Sequence, residues 1–444
     1  MATQDYQDTP IEPGEDDGSP DIEADSDPVG HAGRGSDVSS GSGASSGSSA
    51  SSEPGAPSGS PEPAAHSPHA VQRVTWAELF FDLVFVFAVT QVAHAVSVGG
   101  GWPDVGRSLL LFVPFWWAWV GTTIQFNGLV VSATQRHLLL LAIAGTTFVM
   151  SVAVPTAYGN RGVLFGGAYF GARILLSFAG RIRGAFRQRL NPLSVALVTG
   201  VLWMLAGLLP AGSRQWVWLV LAAVELSVPL ILGHRLDYMR FDASHLPERF
   251  GLFIIIALGE TLVGIGQGGT HNALDGEEAV TLFVAFLLSC GLWWTYFQYG
   301  ASAAEHALRV AKVPAVLVRS SFSYGHLAFV AGIILAAAGM AQAVAAPKAH
   351  LHGVHALLLG SGVALYIATF CYTRIVMFGG ASYTRVTASL LAIVITVLSP
   401  GLPALTPLVL LTVLVIALNC FELYWVNTGR PLLLINIGQG AAGR

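Results

Sequence analysis

Nine ionisable side chains in this sequence fall inside long apolar runs: Glu78, Asp82, Arg173, Glu225, Glu248, Glu260, His326, Arg374 and Glu422. At the centre of a bilayer such a group costs about 2.5–3.5 kcal/mol, so each needs a partner, a proton or a water-filled cavity. Glu78 and Asp82 are four residues apart and share one helix face. Two like charges there call for a cation, a proton or open water. Arg173 and Glu225 each lie about 15 Å into their runs, and Glu260 about 16 Å into its own, all near a midplane. Arg374, Glu422, Glu248 and His326 sit nearer the ends of their runs. Arg173 with Glu225, and Arg374 with Glu422, can form buried ion pairs that fix helix packing. Glu260, within Ala257-Leu-Gly-Glu-Thr-Leu, has no local partner, which suits binding and release of a proton or cation.

Other patterns carry less. His350, His352 and His355 have metal-ligand spacing but lack a second cluster or nearby thiols, so they read as an ordinary loop. Gly264-Ile-Gly-Gln-Gly-Gly ends an apolar run and lacks the Lys-Ser/Thr of a phosphate loop. Cys290, Cys371 and Cys420 sit in apolar runs and read as buried thiols, not as a disulfide or zinc framework. No metal or cofactor is expected, although a coupling proton or cation fits the carboxylates. The basic stretch Arg181 to Arg189 is explained by membrane topology, and nothing suggests nucleic acid.

The elements that must position these groups are membrane helices. The chain is 53% hydrophobic and only 11% charged, against about 25% charged for a soluble chain. Twelve apolar runs follow Trp76, at about 77–98, 108–127, 137–155, 163–179, 193–210, 215–233, 249–266, 279–299, 321–346, 355–378, 384–399 and 404–426. The fourth and eleventh are the shortest, which leaves counts of eleven or ten open. In lipid each backbone amide must be satisfied within its own segment, so these runs are helices of an all-α, polytopic transmembrane bundle. With twelve spans and the N-terminus inside, fifteen Lys and Arg fall on the inner side against four outside. Both termini are therefore expected to be cytoplasmic. Residues 1–72, rich in Ser, Gly, Pro and acids, have little to bury and read as a disordered acidic tail.

The runs also suggest a 6+6 parallel repeat, residues 73–240 and 241–430, followed by a short tail at 431–444. Glu78-Leu-Phe-Phe-Asp-Leu-Val-Phe resembles Glu248-Arg-Phe-Gly-Leu-Phe-Ile-Ile six spans on. Trp116-Trp117 matches Trp293-Trp294, Arg173 matches Arg374, and Glu225 matches Glu422, in the same order. Units of six spans share one orientation, as in one class of transporter repeats.

Trp76-Ala-Glu-Leu-Phe-Phe-Asp-Leu-Val-Phe-Val-Phe-Ala-Val-Thr-Gln, Glu248-Arg-Phe-Gly-Leu-Phe-Ile-Ile-Ile-Ala-Leu-Gly-Glu-Thr and Ser323-Tyr-Gly-His-Leu together resemble the bacterial low-temperature-requirement A (LtrA) family, over about residues 73–430. The resemblance implies a multipass membrane protein linked by name to growth in the cold, with Glu78, Asp82, Glu248, Glu260 and His326 at recurring polar positions. It supplies no reaction, substrate or cofactor. The charges and the repeat point to a secondary transporter or permease for a small molecule or ion. Its central site would be Glu260, Glu225 and Arg173, with Glu78, Asp82 and Glu248 forming a cytoplasmic vestibule. The alternatives are a membrane-embedded enzyme acting on a lipid or isoprenoid head group, and a non-catalytic sensor or cold-adaptation protein.

Overall fold

The computed structural model describes residues 74–127, 129, 131–182, 192–233, 241–242, 244–268, 275–429 and 434–436. The expected acidic tail lies outside the described residues, and of Glu260 only the backbone is described. Among the described residues, ten helices are long and apolar enough to cross a membrane, and two more, Pro192–Ala206 and Tyr383–Leu398, are apolar but shorter. Twelve apolar segments were expected. The short ones are the fifth and eleventh rather than the fourth and eleventh, because the fourth runs its full length from Gly162 to Ile182.

The first six helices are α1 (Trp76–Val98), α2 (Trp102–Phe126), α3 (Ala133–Ala153), α4 (Gly162–Ile182), α5 (Pro192–Ala206) and α6 (Ala211–Leu232). After α7 (His245–Gly268) and α8 (Gly276–Phe297) come the short α9 (Gly300–Val310) and α10 (Pro314–Leu317). A π-helical stretch, Val318–Gly325, then widens into α11 (His326–Ala345). The bundle closes with α12 (Gly353–Phe378), α13 (Tyr383–Leu398) and α14 (Leu405–Asn427). A small antiparallel ribbon pairs β1 (Gly380–Ser382) with β2 (Leu434–Asn436), so part of the C-terminal tail is a strand.

Helix starts follow local chemistry. Thr75 and Glu78 form a reciprocal capping box on α1, Ser132 and Gln135 another on α3, and Asp275 caps α8. Because lipid supplies no hydrophobic drive between helices, close packing of small residues has to hold them together. At the α11–α12 crossing a side chain on Gly332 would come within 2.9 Å of the Gly362 carbonyl, so the backbones touch where only glycine fits. On the outer surface, Leu390, Val394, Val397 and Leu398 of α13 are exposed apolar side chains suited to lipid. Cys290 and Cys420 are exposed too, contrary to the buried thiols expected, because a membrane helix is apolar on its lipid face as well as its inner one.

Neighbour relations recur in the two sets of six. In the first, α1 packs on α2 and α3, α3 on α4, α4 on α5, α5 on α6, and α2 on α6. In the second, α7 packs on α8 and α11, α11 on α12, α12 on α13, α13 on α14, and α8 on α14. The sets meet through α1, which packs on both α7 and α11.

Candidate functional site

The two acids at the start of α1 meet the start of α7 in a buried ionic cluster. Glu78 and Asp82 are fully buried, as is Arg249. Glu78 Oε1 accepts from Arg136 of α3 at 2.6 Å and lies 3.2 Å from an Arg249 guanidinium nitrogen. Glu78 Oε2 accepts from the Thr75 amide and hydroxyl at 2.9 and 3.0 Å. Asp82 Oδ1 accepts from Arg249 at 2.5 Å and from the Trp119 indole at 2.7 Å, while Oδ2 has no hydrogen-bond partner among the described residues. Two carboxylates thus face two guanidiniums, and the cluster is charge-balanced. Of the cation, proton or open water expected for Glu78 and Asp82, the fold supplies a cation, Arg249, which reaches both.

One turn further out the hydrogen bonds fix a tautomer. Asn127 Oδ1 accepts from the Asp242 amide, which turns its NH2 toward His245 Nδ1 at 3.1 Å. His245 Nδ1 is therefore the acceptor, and Nε2 carries the proton that points at Glu78 Oε2, 3.3 Å away. Asp242 in turn accepts from the amides of Ser244 and His245 and caps the start of α7. Burial raises the Asp242 carboxyl, but the Ser244 hydroxyl and these two amides outweigh it and hold the group below its usual value. Next to the cluster lies an aromatic layer, with Trp119 stacked on Trp116 at 5.3 Å and tilted against Phe253 at 4.4 Å.

Arg173 and Glu225 do pair, at 3.3 Å. Tyr169 bridges them, donating to Glu225 at 2.5 Å while accepting from Arg173, and Thr199 donates to the other carboxylate oxygen at 2.6 Å. Glu225 lies about 21 Å along α6, deeper than expected because the helix begins at Ala211. The pair lines a cavity of about 130 Å³ whose walls come from both sets of six: Trp117, Gly121 and Ala196 on one side, Val318, Arg319 and Ser323 of the π-helical stretch on the other. Two guanidiniums and one carboxylate face this space among the described residues.

The other expected pair is corrected. Glu422 is bound by Arg385, which donates from Nε at 3.0 Å and from Nη2 at 2.9 Å, and by the Thr384 hydroxyl at 2.8 Å. Arg374 makes no ion pair within 4 Å among the described residues. Arg385 wins because it sits one turn into α13, beside the end of α14, and offers its planar fork to both carboxylate oxygens. Arg374, Arg385, Glu422 and His326 nevertheless share one cavity, of about 320 Å³. His326 donates from Nδ1 to the Ser321 carbonyl at 3.2 Å, so its Nε2 accepts from the Tyr296 hydroxyl at 2.7 Å.

The pattern of the bacterial low temperature requirement A protein (LtrA) family matches residues 73–420. The chain belongs to the LtrA family. It is also 31% identical, over 288 residues, to the uncharacterized protein RA0937 of Rhizobium meliloti (strain 1021), a match covering 62% of this chain and 70% of that protein.

In this LtrA chain the expected site residues fall into three groups. Glu78 and Asp82 join the α1–α7 cluster, Arg173 and Glu225 the smaller cavity, and His326, Arg374 and Glu422 the larger one. Glu248 stands apart and is exposed, since its neighbour Arg249 takes the inward face of α7. The Glu260 side chain lies outside the described residues. Sequence reasoning missed Arg249, Arg136, His245, Arg385 and Arg319. The four arginines were counted as topology charges because they lie at the ends of runs, and His245 was given no role. One signal was present: His245 and Arg249 are four apart, the same spacing as Glu78 and Asp82, so two complementary helix faces were written in the chain.

Proposed function

We propose that this LtrA-family protein is a secondary permease for a small anionic solute, whose path runs through the Arg173–Glu225 cavity. The observation that carries the reading is the position of that cavity, walled by both sets of six helices with a charged pair on its surface. A solute site between two structural repeats is a transporter trait. The recurring neighbour relations support a same-orientation duplication, residues 73–240 and 241–430. The Glu78–Asp82–Arg249 cluster ties α1 to α7 where the sets meet, and serves as a lock at the end where α1, α3 and α7 begin. Arg173 and Arg319 line the cavity against Glu225, the single carboxylate there among the described residues, and this excess of positive charge favours an anionic solute.

Alternating access makes a substrate-blind test available. Cys290, Cys371 and Cys420 are replaced by serine, and Ala196→Cys is introduced on the cavity wall. A membrane-impermeant maleimide should then label position 196 in both right-side-out and inside-out vesicles. Labelling from one face only would remove the permease reading and favour an interfacial enzyme.

A further inference from the structure

We propose that the larger cavity, at the end of α12, binds an oxyanion, a small carboxylate- or phosphate-bearing group, with Arg374 as its principal ligand. This site goes beyond the permease reading and lies on different residues.

The case rests on charge, space and unspent donors. Arg374 and Arg385 both line the cavity, and Glu422 is the single carboxylate there among the described residues. Arg385 is committed to Glu422 through two nitrogens. Arg374 is left half-buried, without an acid partner, and its Nε is buried with no hydrogen-bond partner among the described residues. The carboxylate whose charge reaches it, Glu422, already spends its oxygens on Arg385 and Thr384, so an oxyanion would give this guanidinium an acceptor of its own. The cavity, about 320 Å³, has room for such a group with a short apolar stem. The Ser321 hydroxyl, which has no hydrogen-bond partner among the described residues, and that of Tyr299 are available on its walls for the remaining oxygens, with Phe329 and Phe370 lining an apolar side. Leu434 of β2 also lines it, held there by pairing of β2 with β1, so the C-terminal strand forms part of the rim. The π-helical stretch separates this space from the solute cavity: Arg319 and Ser323 line one, Ser321 the other.

The test is equilibrium binding by the full chain. Protein in phosphatidylcholine nanodiscs is titrated with inorganic phosphate and, separately, acetate, at constant ionic strength set with chloride. Thermal unfolding is the readout. Phosphate or acetate should raise the midpoint of the unaltered protein. Half-saturation should weaken at least about tenfold in Arg374→Gln, since a charge-assisted contact is lost. Arg107→Gln, at an exposed pair with Asp104 far from the cavity, should respond like the unaltered protein. A second arm replaces part of the phosphatidylcholine with phosphatidylglycerol. Stabilisation seen only there, and dependent on Arg374, assigns the phosphate to a lipid head group. Arg374→Lys keeps the charge and should restore part of the response, which separates ligand loss from misfolding. A response to any probe that is equal in Arg374→Gln overturns the site, as does none of the three probes acting on the unaltered protein. Labelling of position 196 from both faces in the Arg374→Gln background would leave the permease reading standing even then.

Discussion

The ionic cluster between α1 and α7 allows a quantitative test of what holds the two sets of helices together. Arg249 is fully buried and contacts both Asp82, at 2.5 Å, and Glu78, at 3.2 Å. Arg249→Met removes the charge while keeping a long side chain, and leaves two carboxylates facing Arg136 alone. With charge centres about 4 Å apart and an effective dielectric near 20, each lost attraction is about 4 kcal/mol. Breaking one buried pair generally costs about 3–5 kcal/mol, so Arg249→Met, which breaks two, should cost at least that. Asp82→Leu should cost a similar amount, because it strands part of the Arg249 charge and the Trp119 indole N–H. The double variant restores balance, since Glu78 keeps Arg136, Thr75 and His245. Its remaining cost is the unpaired indole, about 1–3 kcal/mol. The double variant should therefore be more stable than the sum of the single effects by several kcal/mol. Unfolding in mixed micelles with increasing dodecyl sulfate, followed by helical circular dichroism, gives the cycle. Additivity within about 0.5 kcal/mol would refute direct coupling and with it the lock.

Two further outcomes follow from the fold. Asp242 caps α7 with a carboxyl held below its usual value, so its stabilisation is complete above the unfolded value near 3.9 and is lost as pH falls through the folded one. Protection factors over Ser244–Arg249, in which the pH dependence of intrinsic amide exchange is divided out, should therefore fall on strong acidification, whereas Asp242→Ala should be less protected at neutral pH, by a cap loss of about 0.5–2 kcal/mol, and lack that acid step. On α12, a methyl at Gly362 would overlap the backbone of Ala336, 2.8 Å from its Cα, so Gly362→Ala should lower stability by about 1–3 kcal/mol. Gly212→Ala on α6, with nothing within 4 Å, is the control; an equal loss at both positions would contradict close packing at the α11–α12 crossing.

What the sequence determined by itself is local. Twelve apolar runs, their turn residues and the capping boxes of Thr75 and Ser132 depend on neighbours within a few residues, and the bilayer demands a helix wherever a run is long enough. The motif residues around Glu78, Glu248 and Ser323 were likewise enough to recognise the LtrA family. The partner of each charge was decided only by the tertiary structure. Arg249 and Arg385 looked like topology signals, because a charge at a run's end is cheap if it faces water. Packing instead turned Arg249 inward onto Glu78 and Asp82, left Glu248 outside, and gave Glu422 to Arg385. A helix rotates its side chains by 100° per residue, so adjacent residues such as Glu248 and Arg249 meet opposite surroundings, and only the neighbouring helices determine which one is buried. The same holds for the two cavities. Their walls join Arg173 to Arg319 and His326 to Arg374 across long stretches of chain, a proximity that no local pattern encodes.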